Sequence, residues 1–301
     1  MTDLEKYVGL LRRLGCEYRT DARFDALTTF HIGGAIPLLI VPDSVEKLRA
    51  ILRAFREDNG RYFILGRGSN LLAPDEGVDY PVILLSDGEF SEIAIDGDTV
   101  TVGAGALLSK LCAAALDAGL SGLETEYGIP GTVGGGLFMN AGAYGGELAD
   151  TLESVVSLTP DGALLSRKRE ELSFSYRHSS FADNGEIVVR ATFRLKKAPR
   201  GEIRAAMDDY MTRRKTKQPL NFPSAGSVFR RPEGYFAGKL IEDAGLKGYA
   251  VGGAQVSEKH AGFIVNQGGA TAEDVKALIA HIRKTVFERF GVRLETEVLS
   301  L

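Results

Sequence analysis

Half of the chain's glycine is crowded into less than a third of its length: eighteen of 36 glycines lie between Gly60 and Gly146 in a sequence of 301 residues. Glycine loses more conformational freedom on folding than any other residue, so a chain that concentrates it needs backbone without side chains there. The spacing has neither the strict triplet period of collagen nor the Gly/Ser composition of a linker. Three clusters stand out: residues 65–72, which read LGRGSNLL; 128–136, GIPGTVGGG; and 140–146, NAGAYGG.

The rest of the composition narrows the class. Apolar residues make up 44% and charged residues 25%, the profile of a folded globular protein long enough for two or three domains. With 36 basic against 40 acidic residues the net charge is −4, so no bulk attraction draws nucleic acid or an anionic membrane, and any anion site must be local. Cys16 and Cys112 are 96 residues apart, and His31, His178, His260 and His281 fall in no metal-ligand spacing, which predicts no structural metal and a reduced, cytoplasmic compartment. The N-terminus has neither a basic nor an apolar targeting region, and the longest apolar runs, such as 35–41, are too short to span a bilayer. Membrane insertion is not expected.

Periodicity predicts a first helix ending at Gly15, a buried strand over 35–41, and a helix to about Asp58 opened by a capping box of Asp43 and Glu46. A strand at 62–65 completes a β-α-β unit. Strands follow over 81–85, 93–95, 99–102, 154–158 and 187–195, with an alanine-rich helix at 107–116. After a polar break at 196–201 come helices over 202–216 and 272–290, the latter boxed by Thr271 and Asp274, and a final strand over 293–299. The expected class is α+β, with boundaries near 68 and 198: an N-terminal lobe 1–68, a second lobe 69–198 and a C-terminal domain 199–301.

The first glycine cluster follows a strand directly, where backbone N–H groups can approach an anion. It is not a dinucleotide fingerprint, because Leu71 stands where a third glycine is required, and no Walker Gly-Lys-Ser/Thr is near. The second and third clusters read either as turns around a short buried element at 137–139 or as bare backbone whose N–H groups bond a phosphate-containing cofactor.

Taken in order, Thr28-Thr29-Phe30-His31-Ile32-Gly33-Gly34, the three clusters, Ser224-Ala225-Gly226-Ser227-Val228-Phe229, Gly238-Lys239-Leu240-Ile241-Glu242 and Leu294-Glu295-Thr296-Glu297-Val298 resemble the UDP-N-acetylenolpyruvoylglucosamine reductase family over essentially the whole chain. The resemblance implies a vanillyl-alcohol-oxidase-like (PCMH-type) FAD-binding domain in two α/β lobes, plus an α+β substrate-binding domain. It implies FAD and NADPH as cofactors and a nucleotide-sugar substrate; no protein partner is predicted, and the charge balance leaves no expectation of a nucleic-acid partner. Its FAD-contacting positions fall on Gly66, Arg67, Gly68, Ser69, Asn70, Leu71, Gly128, Ile129, Pro130, Gly131, Thr132, Gly134, Gly135, Asn140, Ala141 and Gly142. Arg67 departs from the family's usual glycine.

The implied reaction delivers hydride from flavin N5 to an enolpyruvyl ether. Ser227 then protonates C2, Arg177 holds and polarises the carboxylate, and Glu297 assists from the opposite end. Arginine suits that task because its planar fork stays charged and binds a carboxylate through two N–H groups. Serine can serve as the acid only where the carbanionic species is strongly basic and the site stabilises an alkoxide. Without the resemblance, Ser227 reads as a turn residue, Arg177 as a surface cation and Glu297 as a strand charge. Lys217 resembles a lysine that meets the substrate diphosphate, while Arg231, Tyr235 and His260 are further candidates for lining the substrate site. The short passage from Phe181 to Ile187 resembles the branch that lacks an added tyrosine-bearing loop. Two alternatives stay open: an FAD-dependent oxidase of the same fold, and a nonenzymatic nucleotide-binding protein.

Overall fold

The computed structural model describes residues 3–301, and the chain forms two compact units, each assembled from separated stretches. The first takes the chain up to Thr20, then Pro37–Arg67 and Tyr80–Thr212; the second takes Asp21–Ile36, Gly68–Asp79 and Arg213–Leu301. The two units are thus interleaved along the chain. Bonds between distant segments are the cause. Asp75, for example, accepts the N–H groups of Ala272 and Glu273 at 2.7 and 3.2 Å, a tie that local composition does not reveal.

Beside three two-stranded ladders, the first unit carries two main sheets. One orders Glu17–Arg19, Leu39–Val41, Val82–Leu84 and Phe63–Leu65, so that Val82–Leu84 lies between the two strands expected to form the β-α-β unit and runs parallel to both. The intervening helix, Val45–Glu57, buries Leu48, Ile51, Leu52 and Phe55, the i, i+3, i+4, i+7 stripe of a one-sided helix. Ser44 caps it by accepting from Lys47 N–H at 3.3 Å, whereas Asp43, expected in that role, pairs with Lys47 Nζ at 2.7 Å. The expected strand 35–41 divides into Ala35–Ile36 and Leu39–Val41 around Pro37, which has no N–H for a ladder.

The other sheet is antiparallel, in the order Leu164–Lys168, Leu152–Leu158, Ile187–Arg194, Thr99–Gly103, Ile93–Asp96. Along its central strand Val189, Ala191 and Phe193 are buried while Arg190 and Arg194 are exposed, the alternation of a strand with one solvated face. The helix Leu108–Asp117 packs Leu108, Leu111, Cys112 and Ala115 into the core beneath this sheet.

In the second unit, Ser224–Ser227, Phe263–Asn266, Ala254–Val256 and Ala250–Val251 form a sheet. It shares a core with the helices Ala237–Asp243 and Ala272–Phe290 and with Phe30, Ile32 and Leu72 from the early stretches. The expected final strand contracts to Leu299–Ser300, paired parallel with Leu71–Leu72. Upstream of it the chain is tied by isolated bonds rather than a ladder. Among the described residues no helix is long and apolar enough to cross a membrane.

The capping box of the long helix forms as expected: Thr271 Oγ1 accepts from Asp274 N–H at 3.0 Å, and Asp274 accepts from Thr271 N–H at 3.1 Å and Gly253 N–H at 3.2 Å. The amide bonds from Thr271 and then Gly253 hold the Asp274 carboxyl below the usual carboxylate range. A depressed folded-state pKa contributes stability above the unfolded value and loses it as pH falls through the folded one. Replacing Thr271 by Ala should cost about 1 kcal/mol in urea denaturation at neutral pH. Asp274→Asn should flatten the acid limb of the stability profile below pH ~4, near the unfolded carboxyl pKa.

Candidate functional site

In the first unit, two glycine clusters touch. A Cβ on Gly66 would stand 2.5 Å from Thr132 Oγ1, so only glycine lets the strand end settle there. The Thr132 hydroxyl caps the helix Val133–Phe138 by accepting from Gly135 N–H at 3.3 Å. The N–H groups of Val133, Gly134 and Gly136 donate to Ala106, Ala104 and Thr132 carbonyls at 2.9, 2.7 and 2.8 Å. Much of the second cluster is therefore not bare backbone, because its amides are used inside the protein. Gly128, Ile129, Pro130 and Gly131 form the turn that leads into the helix, with Ile129 N–H on Glu126 O and Gly131 N–H on Ile129 O, each at 2.9 Å.

The first cluster differs. Among the described residues no protein acceptor meets the backbone N–H groups of Arg67, Gly68, Ser69 or Asn70, and Gly68 takes φ +63°. Successive unbonded amides on such a loop fit an anionic group, as a diphosphate-bearing cofactor would supply. Leu71 contributes packing: it is buried and paired with Leu299.

Arg177 sits at the tip of a tight hairpin, after Phe174–Ser175 and before His178–Ser179, with φ 55°. Its guanidinium turns back onto the third glycine cluster, donating to Gly142 O at 2.8 Å and Asn140 O at 3.5 Å. Asn140 is itself left-handed, φ 43°, and only 2% exposed. Its Nδ2 donates to Ser175 O at 3.1 Å and to the Glu147 carboxylate, while its buried Oδ1 has no protein partner, an acceptor that a bound cofactor can use. Ala141 N–H donates to Gly136 O at 2.7 Å, closing the turn between the second and third clusters.

In the second unit, Ser227 and Glu297 are brought together by backbone bonds. Glu297 N–H donates to Val228 O at 2.8 Å, and Asn70 Nδ2 donates to Glu297 O at 3.1 Å. The pairing of Ser224 with Val265 and Ser227 with Phe263 leaves an extra residue between them, a bulge in which Gly226 takes φ +77° and re-aims Ser227. Thr29 fixes the start of this strand, exchanging two bonds with Ser224: N–H to Thr29 O at 3.0 Å and Thr29 Oγ1 to Ser224 O at 2.7 Å. Glu295, two residues before Glu297, is exposed and supplies its carbonyl to Arg230 N–H at 2.9 Å.

Lys217 lies exposed at the C-terminal end of the helix Arg200–Lys217. Arg231 stacks over Phe236, 4.0 Å from the ring centre, and Tyr235 is exposed beside it. His260 is half-buried, accepts from Gly262 N–H at 3.1 Å and meets Phe263 edge-on; burial pushes its pKa down, which keeps the ring neutral at neutral pH. Both cysteines are buried, with burial pushing Cys16 up to about 11 and Cys112 further, so neither is a nucleophile. Sequence reasoning missed the structural parts of Thr29, Asn70 and Glu147; the signal for the first two was their place inside quoted motifs, and Glu147 lies one residue beyond the third cluster.

The chain matches a model described as an FAD binding domain over residues 36–167, and one described as the UDP-N-acetylenolpyruvoylglucosamine reductase C-terminal domain over 218–301. It is 47% identical over 271 residues to a UDP-N-acetylenolpyruvoylglucosamine reductase of Clostridium novyi, covering 90% of this chain and 88% of that one. With the Thermotoga sp. RQ2 reductase it is 45% identical over 296 residues, or 98% and 97% of the two chains. The crystal structure of the Thermus caldophilus reductase superposes with a TM-score of 0.81 at 41% identity, covering 95% of this chain and 98% of that one.

The contact between the first two glycine clusters can be tested apart from activity. Gly66→Ala should cost about 1–3 kcal/mol by overpacking against Thr132 Oγ1. Adding Thr132→Ala should recover part of that loss, because it removes the clashing oxygen. Urea denaturation of the two single variants and the double variant, read as a cycle, measures the coupling.

Proposed function

The chain belongs to the UDP-N-acetylenolpyruvoylglucosamine reductase family, and on that premise we propose that it reduces the enolpyruvyl ether of UDP-N-acetylglucosamine to UDP-N-acetylmuramate with electrons from NADPH. It is an FAD-dependent oxidoreductase of peptidoglycan precursor synthesis. Its fold is a PCMH-type FAD-binding domain followed by the family's C-terminal domain. We read the two sheets of the first unit as the two FAD-binding lobes and the chain after about residue 198 as the substrate-binding part. The cytoplasm is the proposed compartment, which two free, buried cysteines fit.

FAD, when bound, would supply the hydride, with NADPH as its source. The unbonded amides of residues 67–70 would hold its diphosphate, and Gly66, the turn 128–131, Thr132, Gly134, Gly135 and residues 140–142 would wall the cofactor. Addition of hydride to one alkene carbon leaves negative charge on the adjacent C2 and the carboxylate. Arg177, charged and forked, stabilises that charge, so its interaction strengthens as the reaction proceeds. Ser227 gives its hydroxyl proton to C2, and Glu297, its N–H bonded to Val228 O, assists from the opposite end. Lys217 holds the substrate diphosphate as a point charge, with Arg231, Tyr235 and His260 lining the rest of its site.

The observation that carries this reading is the delivery of Ser227 and Glu297 to neighbouring backbone positions by the bulge at Gly226 and the bond from Glu297 N–H to Val228 O. The helix Ser180–Asn184 closes at left-handed Gly185 just before the strand begins at Ile187, which supports the loop-lacking branch. Under anaerobic conditions NADPH should bleach the flavin, and the enolpyruvyl nucleotide should restore its colour. In Ser227→Ala bleaching should survive while recolouring slows by about 10²–10⁴-fold, the range of general acid catalysis. An equal loss in both steps removes Ser227 from the acid role, and an enzyme that ignores NADPH but consumes oxygen with a hydroxylated substrate is an oxidase instead.

A further inference from the structure

We propose that Glu147 is a positioning residue that fixes the hairpin presenting Arg177, acting through the carboxamide of Asn140; this rests on Arg177 binding the substrate carboxylate. Ser175 O and Glu147 Oε2 both accept, so only the amide nitrogen of Asn140 can face them, and the carboxamide has a single orientation. Ser175 is two residues before Arg177. The return half of the clamp comes from Arg177 itself, whose guanidinium donates to Asn140 O and Gly142 O. The hairpin is therefore gripped at its base by the Asn140 side chain and at its tip by the backbone of the same segment.

Glu147 is set to hold this clamp. It pairs in register with Gly142 across the short antiparallel ladder of Gly142–Ala143 with Gly146–Glu147, so its α-carbon is tied to the segment that receives the guanidinium. Its own N–H donates to Asp150 Oδ2 at 2.9 Å, which ties the backbone at Glu147 to the turn that follows. Both Asn140 and Arg177 occupy left-handed backbone that non-glycine residues adopt at a cost, and such conformations persist where neighbours over-determine them. An ionised acceptor gives Asn140 the stronger kind of hydrogen bond, and its loss frees Asn140 and the hairpin together.

The test uses the FAD-loaded enzyme and separates the two half-reactions. Glu147→Ala should raise KM for the enolpyruvyl nucleotide about tenfold, the scale of one lost hydrogen bond to a charged group, and by more than it alters FAD content or NADPH-driven flavin reduction. Glu147→Gln, whose amide oxygen still accepts from Asn140, should return KM to within about threefold of the parent enzyme. An unchanged KM in Glu147→Ala overturns the proposal, as does an equal fall in both half-reactions or a Gln variant as impaired as Ala. Should Glu147→Ala yield no folded enzyme, Glu147→Asp, which withdraws the carboxylate by one methylene, must show the same rise in KM. Arg177→Lys separates the premise: normal substrate KM there overturns the reading of Arg177 itself, whereas a raised KM there beside a normal one in Glu147→Ala overturns only the positioning.

Discussion

The second unit depends on a strand pairing that spans almost the whole chain. Leu299–Ser300 lies parallel to Leu71–Leu72, Leu299 N–H bonds Asn70 O at 3.0 Å, and Asn70 returns its side-chain amide to Glu297 O, 227 residues away. Closing so long a loop carries a large entropic cost, although the cost grows only logarithmically with length. The enclosed core offsets it, since Phe30, Ile32 and Leu72 pack with Val228, Ile264 and Leu278 only once the early stretches have joined. Glu297 is thereby held from both sides, by Asn70 on its carbonyl and by Val228 on its N–H. Loop 68–72 is thus a structural brace for the proposed acid site as well as a row of amide donors, and the two uses engage different groups of the same residues.

The first unit has a comparable spine in the strand Ile187–Arg194. Ile187 and Val189 enter the core that also holds Leu48 and Phe55, while Val188, Ala191 and Phe193 enter the core under the helix Leu108–Asp117. One strand serves two cores because successive side chains point to opposite faces, and the register shift at Val189 leaves Val188 on the face of Ala191 and Phe193. A change at Phe193, fully buried, disturbs chiefly the core beneath the third glycine cluster, where Leu137 and Leu148 flank the turn that receives Arg177.

Local signals were legible where local physics decides the outcome. The box of Thr271 and Asp274, the one-sided stripe of Val45–Glu57 and the alternation around Arg190 all follow from spacing alone. Elsewhere a competing group prevailed. Asp43 was drawn from its cap by Lys47 and the adjacent Ser44 took its place; Pro37 interrupted an otherwise continuous apolar run; residues 293–298 had strand composition but found only isolated partners. The interleaving of the two units was not legible, because Asp75 and Asn70 act on groups roughly two hundred residues away and nothing nearby marks them. Family motifs located Ser227, Arg177 and Glu297, but the reason Asn70 and Thr29 sit within those motifs appears only in their bonds to Glu297 and Ser224.

The glycine excess has two physical causes rather than one. At residues 67–70 it leaves amides open for an anion, whereas at Gly66 and Gly134 it lets backbone press on Thr132 and Ala104 at distances that no side chain permits. The second cause makes the region stiff, and stiffness has a corollary in the residues that are not glycine. Among the described residues five that are not glycine take positive φ, and three of them, Asn140, Tyr144 and Arg177, lie on the third cluster or on the hairpin tip bonded to it. Glycine at any of the three would relieve the backbone, so each side chain is retained against a conformational cost. At Asn140 and Arg177 the retained groups are those that bond each other's segments, and at Tyr144 the ring stacks on Tyr210 at 5.1 Å. Strain gathered where the proposed substrate-binding cation is aimed, with glycine packing around it, is the pattern of a site held rigid for charge stabilisation rather than of a loop left free to close.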